Sequence, residues 1–345
     1  MYKFLTITLL IFVFMSCKTY DVMHFEVLRP AAYSVPPQIK TLVIVDNAYP
    51  FNPDDAHIAH VVGEEVRLDT VRVDSFAAVI AGNLQQELLR RRFFDTVYID
   101  TVSYNTADQG QSLRALTPAQ IIDIGTRHQA DAVLSLAAAS YGTDIKVEDM
   151  SVEYYAMMDV AGTVYWRLWD AYSATVLHQE LQRDTLYWDG IGASIDASVM
   201  YFPSLKEATI ELGSFLGATY ADKLTPYWEP VERKVYTNGN PHFVSAIEWL
   251  NKDNRYEAEK MWGYVYAHGN SREKGKAAYN IAVSMELRGD LEQAVQWAYK
   301  SYEAFRTKGV VGSRQEVEDA KKLYQGLVIR YRDEKKLNEQ VGGTP

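Results

Sequence analysis

The sequence predicts an α/β sandwich with a mixed sheet, of α+β character and element order β-α-β-α-β-β-β-α-β, followed by an all-helical repeat domain. Three observations carry this. Apolar runs of strand type alternate with amphipathic helical stretches over the first two thirds of the chain. A long alternating pair of segments brackets the turn "DAYSA". Beyond the turn cluster Asn238-Gly239-Asn240-Pro241 only helical periodicity remains.

The chain opens with Lys3, an apolar core from Phe4 to Met15 relieved only by Thr6 and Thr8, and then Ser16 and Cys17. This is the layout of a secretory signal. A membrane-spanning helix needs roughly 20 apolar residues, and this run is shorter. A small residue and a cysteine closing the apolar core resemble the bacterial lipobox. The resemblance implies that residues 1–16 are a cleaved signal peptide and that Cys17 carries diacylglycerol and fatty acyl chains such as palmitate. Lys18 stands where an aspartate retains many such lipoproteins at the inner membrane, so the resemblance implies the outer membrane, on its periplasmic face or at the cell surface. The alternative is a plain secretory signal with an incidental cysteine. A catalytic thiol needs a base and an orienting group, and the edge of a removable signal supplies neither.

Composition narrows the partners. The 345 residues carry a net charge of −10, which becomes −11 once Lys3 is lost with the signal. An acidic chain with no basic tract is a poor ligand for nucleic acid or anionic headgroups, which are bound through Lys and Arg. Cys17 is the only cysteine, so no disulfide forms within the chain.

Residues 17–38, with three prolines, read as a lipid-anchored tether leading to the α/β domain, 39–237. "IKTLVIVD" is a strand buried on both faces. Phe76, Val79, Ile80, Leu84 and Leu88 share one face of a helix, and "FFDTVYIDTV" is the second strand. Thr117-Pro118-Ala119-Gln120 starts a helix, with a capping Thr, Pro at the first position and Gln three residues on. "ADAVLSLAAAS" is the third strand, Tyr154 to Trp188 a long hairpin, Pro203 opens a further helix, and "EPVERKVY" returns as an edge strand.

In the helical part, 241–338, Asn280, Ile281, Ala282, Gly289, Asp290, Leu291, Ala294, Ala298 and Ser301 have the spacing of a tetratricopeptide repeat. A first copy precedes it, with Ala246 and Ala258 each 36 residues ahead of Ala282 and Ala294. Ser313 to Glu316 starts a last amphipathic helix that caps the stack. On this alignment the groove-facing positions are Lys276, Tyr279, Val283 and Glu286, with Asn280 beside them.

"IKTLVIVD", "FAAVIAGNLQQELLRRRFFDTV", "IGTRHQADAVLSLAAASYG" with Asp131 at the strand start, and "VYWRLWDAYSATVLHQE" together resemble a fold shared by the curli-secretion lipoprotein CsgG, the N-terminal domain of TolB and lipoprotein activators of peptidoglycan synthases. Ser173 and Ala174 stand where those proteins usually have a glycine-bearing turn. "LRPAAYSVPPQIKTLVIVDNAY", with the lipobox before and the repeats after, is similar to an uncharacterised family of envelope lipoproteins of unknown function.

Motifs for chemistry are sparse. The sequence has no G-x-S-x-G, H-E-x-x-H, P-loop or C-x-x-C pattern, and "DGIGASI" lacks the third glycine and the βαβ setting of a dinucleotide site. Asp54, Asp55, His57 and His60 in "NPDDAHIAH" would share a face if the stretch were helical, and could then hold zinc; a solvated loop is the plainer reading. Tyr154, Tyr155, Tyr165, Trp169, Tyr187 and Trp188 form either an aromatic stripe for sugar or protein or simply the cover of a sheet face. The function expected is that of a non-enzymatic, lipid-anchored envelope adaptor or scaffold without cofactor, binding a peptide or protein through its repeats. The alternatives are a subunit of a secretion or pore assembly, which would be a homo-oligomer, a regulator of cell-wall synthesis and, behind these, a metal-dependent enzyme.

Overall fold

The computed structural model describes residues 19–48, 51–54, 56–102, 104, 115–306 and 314–342. Cys17 and Asp55 lie outside the described residues. The chain folds into two units, one made of Ala31–Tyr227 and the other of the segment up to Pro30 together with Trp228–Pro345. The α/β unit is therefore inserted into the helical one, and the boundaries differ from a simple succession of domains.

In the α/β unit, β2 (Thr41–Asp46), β3 (His57–Val61), β4 (Glu64–Arg67), β5 (Thr96–Asp100), β6 (Ala132–Asp149), β7 (Tyr154–Asp170) and β8 (Val176–Gly192) form one mixed sheet. β6 organises it. Along one edge its first half pairs in parallel with β2, Leu42 opposite Ala132, and its second half with β3, His57 opposite Thr143. Along the other edge it pairs antiparallel with β7 from end to end, and β7 with β8. The register of β6 slips between Leu136 and Ala138, where β2 ends and the Asn47 N–H reaches the Leu136 carbonyl. A bulge there is the expected response of one strand that serves two successive neighbours.

Helices α1 (Phe76–Arg91) and α4 (Leu205–Leu224) cover one face of the sheet. Phe76, Ile80, Leu84 and Leu88 of α1 are buried at helical spacing against Leu42, Ile44, Leu134 and Trp166. Each such burial contributes roughly 1.5–3 kcal/mol. The two helices cross closely because Gly217 has no side chain: a Cβ there would lie 2.2 Å from the Ile80 carbonyl oxygen. Trp166 stacks on Tyr220 at 4.3 Å and donates its indole N–H to Gln182. Helix α2 (Pro118–His128), opened by the Thr117–Gln120 capping box, covers part of the opposite face through Ile121 and Ile124 against Val43, Val45, Val133 and Trp169. A short helix, α3 (Ile195–Val199), folds back over Gly190 and Gly192 at the end of β8.

Asp131 accepts the Lys40 and Thr41 backbone N–H groups and so fixes the start of β2. Ala174, in the turn between β7 and β8, has φ +53°. The aromatic stripe is divided. Trp169 is buried beneath α2 and Trp188 packs on the main core, whereas Tyr187 stands on the open face with 71% exposure. Strand alternation separates Tyr187 from Trp188.

In the helical unit, α5 (Pro241–Asn251), α6 (Arg255–His268), α7 (Ser271–Leu287), α8 (Leu291–Arg306) and α9 (Arg314–Val341) pack each on the next. Ala246, Ala258, Ala282, Ala294 and Ala298 are fully buried, and these small side chains let the helices approach. Gly289 makes the turn between α7 and α8 at φ +81°, a conformation only glycine adopts without strain. Residues expected as part of a tether are instead strand β1 (Tyr20–Arg29), paired with β9 (Tyr227–Tyr236) in a separate two-stranded ribbon. β9 is thus not an edge of the α/β sheet. Thr19 bonds Thr237 at one end and Arg29 meets Glu229 at the other, so the two strands run antiparallel.

Candidate functional site

The groove-facing positions predicted for the repeat converge, but they do not form an open surface. Lys276, Tyr279, Asn280, Val283 and Glu286 of α7 are all buried, Asn280 to 1% exposure and Glu286 to 3%. The chain's own ribbon covers them. Asn280 Oδ1 accepts the Tyr236 N–H and Nδ2 donates to the Tyr236 carbonyl, both at 2.8 Å. The Tyr236 ring meets Tyr279 edge-on at 5.3 Å and lies under the Lys276 ammonium at 5.3 Å. Burial lowers the Lys276 pKa, a trend that Glu316 at 3.8 Å opposes.

Glu286 is the electrostatic centre of this groove. Its carboxylate accepts two hydrogen bonds from Arg233 of β9, at 2.7 and 2.9 Å, and a further one from Arg330 of α9. A buried carboxylate is tolerated only when so paired, and removing one partner of such a group typically costs about 3–5 kcal/mol. The three charges therefore tie the ribbon, α7 and α9 together. Beside them lies an open cavity of about 430 Å³, whose apolar lining includes Val27, Trp228, Leu287 and Leu337 and whose polar lining includes Arg288 and Glu334.

The metal candidates do not converge either. The segment is a strand, not a helix, so His57 and His60, three residues apart, point to opposite faces. His57 is buried, with Nδ1 3.1 Å from Thr143 Oγ1. His60 lies 3.7 Å from Asp144 on the open face. Asp54 contacts Arg72 and Asn52. Among the described residues no group of three His, Cys, Asp or Glu side chains is placed to hold a metal ion.

One polar cluster was not foreseen. Asp100, at the carboxyl end of β5, accepts from Val102 N–H, Tyr104 OH and Arg127, and His128 lies 3.7 Å away. Burial would raise the Asp100 pKa, but these donors outweigh it and hold it below the ordinary value. Burial and the Asp100 charge push the Tyr104 hydroxyl up to about 12. The network joins β5 to α2, and only the acidic end of "VYID" hints at it in the sequence.

Residues 39–236 match a domain of unknown function (DUF8603), and residues 243–332 match a second domain of unknown function (DUF6340). The chain belongs to the DUF8603 family. The DUF8603 match runs through β9, although in space that strand packs with the helical unit. No curated protein matches the chain. Among solved structures, it is similar to a PelC dodecamer from Paraburkholderia phytofirmans, at 12% identity over 59% of this chain and 99% of that one, TM-score 0.23. It is also similar to a putative neuraminyllactose-binding hemagglutinin homolog from Helicobacter pylori, at 10% identity over 55% and 91%, TM-score 0.24. A third is a hypothetical protein from Chlamydia trachomatis, at 13% identity over 53% and 96%, TM-score 0.22.

Proposed function

We propose that the protein is a lipid-anchored envelope protein of the outer membrane that works as a non-catalytic adaptor or scaffold, with a tetratricopeptide-type helical stack and a CsgG-like α/β unit. The anchor rests on the apolar run Phe4 to Met15 closed by Ser16 and Cys17. The observation that carries the adaptor reading is the repeat itself: paired helices offset by 36 residues, closing on buried alanines, form a class of stack whose exposed helix surfaces bind protein segments. Because the ribbon fills the groove around Asn280, the partner surface lies on the outward faces, where Tyr256, Tyr264 and Tyr299 are exposed. Exposed tyrosines are favoured contacts at protein interfaces.

The test has two arms. A Cys17→Ala variant is expected to lose its acyl mass and leave the membrane fraction; retention at unchanged mass refutes the anchor. Photocrosslinking residues placed at Tyr256 and Tyr299 in living cells are expected to trap one discrete protein, whereas the same residue at exposed Val152 in the α/β unit traps none. Absence of any adduct at both tyrosines refutes the adaptor surface, and a ring of many copies by mass photometry favours the pore-assembly reading instead.

A further inference from the structure

We infer that the helical unit is itself seated on the bilayer, with the end of the ribbon that carries Thr19 and Thr237 turned toward lipid. This deepens the proposed function and rests on the acylation of Cys17. The Thr19 carbonyl accepts the Thr237 N–H at 3.2 Å, and strand β1 begins at Tyr20. The folded body therefore starts two residues after the anchor. Two peptide units span at most about 7 Å. A free tether over 17–38, 22 residues long by sequence, would reach about 26 Å on average and leave orientation unconstrained. A link of two residues holds one patch of one unit against the headgroups.

The residues around that end are identified by contacts within the unit. The Tyr20 ring lies 4.6 Å from the Lys234 ammonium, and Lys234 pairs with Asp319 of α9 at 2.6 Å. At the other end of the ribbon, Arg29 contacts Asp333 of the same helix at 3.4 Å. Helix α9 thus runs along the ribbon, with its first turns beside the anchored end. Gln315, bonded to Asp319 at 2.8 Å, is exposed there. Tyr20, 37% exposed, and Lys234 are side chains that suit the boundary between headgroups and water, where an aromatic ring and a long cationic stem both find partners.

The lone native cysteine is consumed by lipid, so an introduced one can be labelled alone. The full-length acylated protein carrying Gln315→Cys, labelled with an environment-sensitive fluorophore, is reconstituted in phosphatidylethanolamine–phosphatidylglycerol vesicles containing a headgroup-attached spin quencher. The expected result is loss of most of the fluorescence, and its recovery when 20 Gly/Ser residues are inserted between Lys18 and Thr19. An unquenched label on a vesicle-bound protein of acylated mass overturns this inference and leaves the lipid anchor standing. Quenching that survives the insertion also overturns it, since the short link would then not be its cause. A protein without acyl mass overturns the anchor and this inference together.

Discussion

Asn280 on α7 holds the backbone of Tyr236 in both directions, accepting its N–H and donating to its carbonyl. The side-chain amide thereby completes the hydrogen bonding of a β9 residue whose ring is buried against Tyr279 and Phe305. The α7 position expected from the sequence to face a foreign peptide is occupied by the protein's own strand. In Asn280→Ala two buried backbone groups lose their partners, each at about 1–3 kcal/mol, so the helical unit is expected to lose roughly 2–6 kcal/mol of stability. Urea unfolding followed through tryptophan fluorescence, to which Trp262, buried in that unit, contributes, measures it. An unchanged midpoint would show that the clamp contributes nothing.

Two glycines in neighbouring helices should respond with opposite signs to the same change. Gly217→Ala places a Cβ 2.2 Å from the Ile80 carbonyl oxygen, so α1 and α4 must separate, at about 1–3 kcal/mol. Gly82→Ala, within α1, meets nothing within 4 Å and removes freedom from the unfolded chain, a gain of about 0.4–1 kcal/mol. Thermal melting of the two variants should bracket the parent; a destabilised Gly82→Ala would contradict the open space seen beside it.

Much of the α/β unit was legible because its signals are local. The Thr117 cap, the Phe76 to Leu88 stripe and the β-branched run of β2 each specify an element from adjacent residues. The ribbon was not legible in the same way. β1 and β9 are far apart in the chain, and "YDVMHFEVLR" alternates only weakly, so no local signal specifies their pairing. For the same reason the burial of Lys276, Tyr279, Asn280, Val283 and Glu286 does not show in the sequence, because the strand that lies over Asn280 is encoded elsewhere in the chain. The two histidines of β3 make the segment look like a polar loop in sequence, although His57, like Ala59, is buried on alternate positions of a strand.

The turn that joins β3 to β4 offers a gain in stability. Val61 pairs with Glu64, and the two residues between them, Val62 and Gly63, have φ +50° and +87°. Hairpin turns of this form favour Asn-Gly, whereas a β-branched residue at positive φ is strained. Val62 is exposed, so Val62→Asn loses little packing. It is expected to raise the melting midpoint by the equivalent of about 1 kcal/mol, and a lower midpoint would show that the valine methyls matter more than the backbone.

His57 couples the same hairpin to pH. Burial lowers its pKa from the ordinary 6.5, with the Val71 carbonyl opposing the shift. A histidine depressed in the folded state takes up its proton more readily when unfolded. Its contribution to stability is thus complete above pH 6.5 and is lost as the pH falls through the lower folded value. Asp54, Asp144 and Lys146 lie near this strand but do not contact the buried ring, whose Nδ1 faces Thr143. Melting curves between pH 7.5 and 5, values spanning the ordinary histidine pKa, should show a decline that His57→Gln flattens; parallel curves for parent and variant would remove His57 as its cause. Added zinc should leave the parent midpoint unmoved at pH 7.5, because His57 and His60 point to opposite faces of the sheet. A stabilisation that saturates at one zinc per chain, and disappears in His57→Gln, would require the strand to rearrange into a shape that brings both imidazoles together.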